Sequence, residues 1–145
     1  MKPYTRSVHL GRDAKVELIR GVPLFANCSR KELAEIASIA DEIDFGAGKE
    51  LIREGDRGRE FFVLLDGTAQ VTKGGNEVNT LGSGDFFGEI ALVSKLPRSA
   101  TVTTTSNMRA LVVTDRAFRA LMDRLPELQL QVLEALAERL APETL

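Results

Sequence analysis

From Asp41 to Thr114 the chain consists of short apolar or alternating runs, separated by glycine turns at Gly46, Gly48, Gly55, Gly67, Gly74, Gly75, Gly82 and Gly84. Glycine reaches positive φ without a steric penalty, so it marks places where the backbone turns back. Short strands between closely spaced turns bury their apolar faces only by stacking into a sandwich or closing into a barrel. This segment is therefore predicted to be an all-β unit.

Two turns are sharper than the rest. Asp66-Gly67, between Phe61–Leu65 and Thr68–Thr72, tolerates positive φ and predicts a two-residue hairpin, and Gly74-Gly75-Asn76 predicts a second. Outside the β segment the period changes. Asp13 to Arg20 reads as a short helix closed by Gly21 and Pro23. Ser29 and Glu32 form a capping box for a second helix, with Leu33, Ile36, Ala37 and Ala40 on one face. After Thr114, Phe118, Leu121, Met122 and Leu125 share a face. Pro126 opens a last helix whose stripe is Leu128, Val132, Leu133, Leu136 and Leu140.

Charge and cysteine content remove several classes of function. Nineteen basic and 21 acidic side chains leave a net charge of -2, which provides no global field for nucleic acid or an anionic membrane. Cys28 is the only cysteine and His9 the only histidine, so neither a disulfide framework nor a clustered His/Cys metal site is expected. A Ser/His or Cys/His nucleophile pair would have to borrow a histidine from the N-terminal tail, and no enzyme is predicted. No apolar run approaches the roughly 20 residues that cross a bilayer, and no apolar segment follows Met1. The cytoplasm is the expected compartment, without direct membrane contact.

The residues that carry chemistry fall between Gly84 and Val102, in GDFFGEIALVSKLPRSATV. Gly88 to Val93 reads as a single helical turn interrupting the β texture. The first turn of a helix exposes unpaired N–H groups and partial positive charge, and a glycine there lets a ligand approach closely. Arg98, after Pro97, carries a planar fork that can give two parallel hydrogen bonds to phosphate oxygens. Glu89 can accept from a sugar hydroxyl, so the pair suggests a sugar phosphate. The bland reading of Arg98 and Glu89 is an ion pair across the barrel. Phe61, Phe62, Phe86 and Phe87 have no basic interleaving and are assigned to barrel packing rather than a stacking platform.

The segment resembles the phosphate-binding cassette of the cyclic nucleotide-binding domain family, F-G-E-[LI]-A-L followed by P-R-x-A-T-V. The resemblance extends upstream through Ile52-Arg53-Glu54-Gly55-Asp56 and Phe61 to Gly67, and covers roughly residues 22 to 140. It implies a mainly β fold with flanking helices: a jelly-roll-like β-roll with N-terminal helices, a short cassette helix and two C-terminal helices. Residues 1–21 are then an N-terminal tail and helix, and 22–145 the binding domain. The cyclic phosphate is implied on the amides of Gly88, Glu89, Ile90 and Ala91 and on Arg98, with the ribose 2′-hydroxyl on Glu89. Ser99 stands where a hydroxyl touches the phosphate or, as threonine in some members, the 2-amino group of guanine. By position Val71 is implied in the wall beside the base and Arg139 in a lid.

The expected ligand is cAMP rather than cGMP, with no separate cofactor. No helix-turn-helix, kinase, channel or transferase domain is read in the chain, so the effector is expected to be another protein or a fused domain. The last helix offers a homodimer contact. The alternatives are a protein-interaction domain that keeps the fold without nucleotide, and an enzyme on a phosphorylated small molecule, which lacks a visible base.

Overall fold

The computed structural model describes residues 10–144, with side chains through Glu138. It divides into two compact units: residues 41–115, and residues 10–40 together with the helices from Arg116 onward.

The first unit holds eight strands: β1 (Asp41–Phe45), β2 (Glu50–Ile52), β3 (Glu60–Asp66), β4 (Ala69–Lys73), β5 (Asn76–Leu81), β6 (Phe86–Phe87), β7 (Thr101–Thr104) and β8 (Met108–Thr114). They form two antiparallel four-stranded sheets in the orders β1-β8-β3-β6 and β2-β7-β4-β5. The predicted β-roll is thus a double-sheeted structure. Strand composition follows position. β8 lies between β1 and β3 and is buried from Met108 to Val113, whereas β5, at a sheet edge, is polar and exposed from Asn76 to Thr80. Leu64, Ala69, Leu81, Val102, Met108 and Ala110 make one core cluster, flanked by Phe45, Leu51, Ile52, Val71 and Phe87.

The hairpin at Gly74-Gly75 forms. Both glycines have positive φ (59° and 81°), and Lys73 pairs with Asn76 across the two-residue loop. The hairpin expected at Asp66-Gly67 does not. β3 pairs with β6 and β8, β4 pairs with β5 and β7, and the Asp-Gly turn carries the chain from one sheet to the other. Gly67 has φ 94°, and a Cβ there would stand 2.4 Å from the Asn107 carbonyl oxygen and 2.8 Å from Met108 Cα. A dipeptide reports only its local turn preference. Which strand accepts the next one depends on distant partners.

In the second unit, α1 (Arg12–Arg20) packs on α2 (Arg30–Ser38), and α3 (Asp115–Arg124) leads into α4 (Pro126–Thr144). The capping box is present: Glu32 N donates to Ser29 Oγ at 3.2 Å, and Ser29 N donates to Glu32 Oε1 at 2.8 Å. Leu33, Ile36 and Ala37 are buried, as the spacing predicts. Phe25 and Phe118 meet with ring centroids 5.6 Å apart. On α4 the buried positions are Leu128, Val132 and Ala135. Leu133, expected in that stripe, is 62% exposed beside Leu130 at 57%, because 3.6 residues per turn carry it off the face that Leu128 and Val132 define.

Candidate functional site

β6 ends at Phe87, and Gly88 follows at φ 83°, ψ 11°, a left-handed conformation that costs most side chains about 1–2 kcal/mol. The chain then makes a 3₁₀ turn over Glu89–Leu92, burying Ala91 and Leu92 and leaving Ile90 37% exposed. The helical turn predicted here forms, wound tightly as short helical pieces often are.

Gly88 is required for a reason the sequence does not display. The place of its missing Cβ is taken by the Glu60 carbonyl oxygen and Arg98 Nη1, each 2.8 Å away. The gap therefore admits the arginine itself. Gly58 does the same from the other side, since its Cβ would stand 2.8 Å from Ala91 Cβ and 2.9 Å from Arg98 Nη1.

Arg98 is fixed along its whole length. Its backbone N–H donates to the Asp56 carbonyl at 2.7 Å, and its carbonyl accepts from Gly55 N at 2.9 Å. It precedes β7, which starts three residues later, at Thr101. The side chain is 7% exposed. Nη2 donates to the Glu60 carbonyl oxygen at 2.8 Å and Nη1 to that of Gly88 at 3.4 Å. A carboxylate beside it belongs to Glu60, with Nη2 to Oε1 at 3.6 Å. Burial lowers the guanidinium pKa, while Glu60 and then Asp115 pull it upward. Arginine keeps its charge in proteins, so this is a desolvated, anchored cation.

A cavity of about 420 Å³ opens beside it. Gly88, Glu89, Ile90, Ala91, Arg98 and Ser99 line it, and Val71 lines it from β4, so these predicted positions converge on one space. For Arg139 the helical backbone of α4 is described, but the side chain lies outside the described residues. Phe86 and Phe87, assigned to packing alone, also line the cavity while their other faces are occupied. Phe87 stacks on Phe62 at 4.7 Å and Phe86 meets Phe61 edge-on at 6.3 Å. Sequence reasoning passed over Gly58, Ile52, Leu81, Asn79 and Glu60. The first four line the cavity, and Glu60 holds Arg98. Gly58 lies between the Arg57–Pro97 bridge and β3, where a glycine alone gives no hint of a distant arginine.

The cavity has a cationic fork, a carboxylate and a hydroxyl from the Gly88–Ser99 segment, and strand residues that are apolar except for Asn79. Its volume lies within the range of small-molecule sites, roughly 300 to 1,000 Å³. Among the described residues no group of three or more His, Cys, Asp or Glu side chains could hold a metal ion. Nor is any described helix long and apolar enough to cross a membrane. Fold and site together define a β-roll module with a cavity suited to a small organic anion.

Comparison with known proteins specifies the class. Residues 42–125 match the family model of the cyclic nucleotide-binding domain. The cAMP-dependent protein kinase regulatory subunit of Mycosarcoma maydis is 37% identical over 115 residues, 73% of this chain and 22% of that protein. The cGMP-dependent protein kinase, isozyme 1, of Drosophila melanogaster is 34% identical over 122 residues, 79% of this chain and 16% of that one. The N-terminal domain of a transcriptional regulator from Streptomyces coelicolor A3(2) superposes with a TM-score of 0.78 at 26% identity, covering 87% of this chain and 94% of that structure. The chain belongs to the cyclic nucleotide-binding domain family. It spans less than a quarter of the length of these kinase relatives.

Proposed function

We propose that this chain is a regulatory module that binds a cyclic nucleotide, cAMP in preference to cGMP, in the cavity beside Arg98. The observation that carries the reading is the buried guanidinium, tethered to two backbone carbonyls in the wall it shares with Gly88 to Ala91. Such a cation is oriented before any ligand arrives, and orientation in advance reduces the cost of binding. The phosphate is assigned to Arg98 and the amides of Gly88 to Ala91, the ribose hydroxyl to Glu89, a phosphate contact to Ser99, the base wall to Val71 and the lid to Arg139. The binding domain is taken as residues 22–145, acting in the cytoplasm by binding rather than catalysis, with its effector on another protein or domain.

The output is a shift in the helices that follow Asp115, to the extent that ligand favours one arrangement. What supports this is the attachment of Asp115, the first residue of α3, to the loop that also holds Arg98. Its N–H donates to the Arg59 carbonyl at 2.8 Å, and its carboxylate lies 3.7 Å from Arg57 Nη2. Amide exchange in α3 and α4 should change on ligand addition, and identical exchange would remove the coupling step.

Binding itself is tested by thermal unfolding with cAMP, cGMP and 5′-AMP in parallel. A ligand at about 100 times its Kd adds roughly 2.7 kcal/mol, on the order of 5 to 10 °C for a chain of this size. Stabilisation by a cyclic nucleotide but not by 5′-AMP is expected. If none of the three moves a cooperative transition, the chain is instead an interaction domain that has kept the fold.

A further inference from the structure

One row of cross-strand partners forms the floor of the cavity. Ile52 on β2 pairs with Val102 on β7, Val102 with Val71 on β4, and Val71 with Asn79 on β5. All four line the cavity. Residues directly opposite one another project to the same face of a sheet, and Leu81, two positions after Asn79, is buried on that face. The row therefore runs apolar, apolar, apolar, amide, with the amide on an edge strand at the mouth.

Asn79 is separate from the cavity's other polar side chains. Glu89, Arg98 and Ser99 belong to the single segment that starts at Gly88, and in the proposed function they serve phosphate and ribose. Asn79 comes from a different strand, with Val71 and Val102 next to it in the row. A flat ring resting on those valines would bring its edge to Asn79. The Asn79 side-chain oxygen Oδ1 accepts from the Thr80 N–H at 2.8 Å, which orients the amide. A carbonyl oxygen has two acceptor sites, so the bond to Thr80 leaves one, and among the described residues Nδ2 donates to none.

We propose that Asn79 reads the N7 edge of the base and selects adenine, its Nδ2 donating to N7 while Oδ1 accepts from the exocyclic amine. The inference rests on the cyclic-nucleotide reading of the cavity. The chemistry of the two purines decides the direction. Adenine presents an acceptor and a donor side by side, which match an amide's donor and acceptor, and asparagine pairs with adenine in this way where proteins read DNA. The corresponding edge of guanine presents two acceptors, N7 and O6. There the amide satisfies one and turns its own oxygen toward the other, so cAMP gains a contact that cGMP does not.

Calorimetric titration of the whole chain and its Asn79→Leu variant with cAMP and cGMP tests this. The wild-type chain should prefer cAMP. Asn79→Leu should weaken cAMP about tenfold, at the lower end for one bidentate pair because Asn79 is solvent-exposed, and cGMP by less than about threefold. Asn79→Asp, which keeps the acceptor and loses the donor, should also weaken cAMP. An unchanged preference in Asn79→Leu, whether both affinities fall together or neither falls, overturns the assignment while leaving the cyclic-nucleotide reading intact. A wild-type chain that binds neither ligand overturns both.

Discussion

Replacing Arg98 by alanine removes the one group on which the anion end of the cavity depends. The side chain is 7% exposed, donates to the carbonyls of Glu60 and Gly88, and fills the space left by the absent Cβ atoms of Gly58 and Gly88. Truncating one partner of a buried charge contact costs a complex roughly 2 to 5 kcal/mol, or about 30-fold to several thousand-fold in Kd. The unliganded protein also loses two hydrogen bonds from a charged donor, but water entering the cavity can reach the freed carbonyls, so the stability loss should be smaller, about 1 to 3 kcal/mol. Arg98→Lys separates shape from charge: an ammonium keeps the charge but cannot present two parallel donors, so its affinity should fall between those of wild type and alanine. Titration calorimetry with cAMP at two ionic strengths gives the numbers. A buried contact is screened less than an exposed one, so the loss should persist at high salt. If Arg98→Ala folds cooperatively and binds within threefold of wild type, the cavity is not held by this arginine and the proposed site is wrong.

Two further changes follow from the same geometry. Gly88→Ala combines a left-handed φ of 83° with contacts of 2.8 Å to Arg98 Nη1 and the Glu60 carbonyl. It should lower stability by about 1 to 3 kcal/mol and weaken cAMP more than tenfold, and a variant indistinguishable from wild type in melting and titration would contradict the packing described. Burial, and secondarily the carboxylate of Glu32, push the Cys28 thiol from 9.0 up to about 12. The folded state therefore holds this proton after the unfolded chain has released it, so the contribution to stability is complete below pH 9 and is lost as pH rises toward 12. Iodoacetamide at pH 8 should leave Cys28 unmodified in the native protein and label it in denaturant; rapid native labelling would show an accessible thiolate.

The parts of the structure legible in the sequence were those set by local preference. Ser29 and Glu32 define a helix start within four residues, and Gly74-Gly75 define a turn that only positive φ satisfies. The cassette was legible because its residues are consecutive: Gly88 to Ser99 reach one cavity from one segment. What was not legible depends on residues far apart in the chain. Asp66-Gly67 has a hairpin's composition but lies where the chain changes sheets, and only the pairing of β3 with β8 reveals it. Phe86 and Phe87 have one face in the packing and another on the cavity, a division that hydrophobicity cannot express. Asn79 is an ordinary polar residue on an exposed edge strand until its partner across the sheet is known to be Val71.

The choice of partners for Arg98 bears on how the site can respond to a ligand. Had a carboxylate formed the tight contact, an incoming phosphate would have to displace a competitor of the same charge. Here the short bond goes to a neutral carbonyl at 2.8 Å, and the Glu60 carboxylate stands at 3.6 Å with 41% of its side chain exposed. The Glu60 carboxylate, unlike the guanidinium, is open to water and can rotate into it without moving the backbone. The guanidinium thus keeps its position while its nearest counter-charge is replaceable. Asp115 also acts on this cation and pairs with Arg57, one residue before the glycine that makes room for Arg98. In the function proposed above, an anion at Arg98 would weaken that attraction, and the change in charge would reach the first residue of α3 through a field, with no side chain required to travel between them.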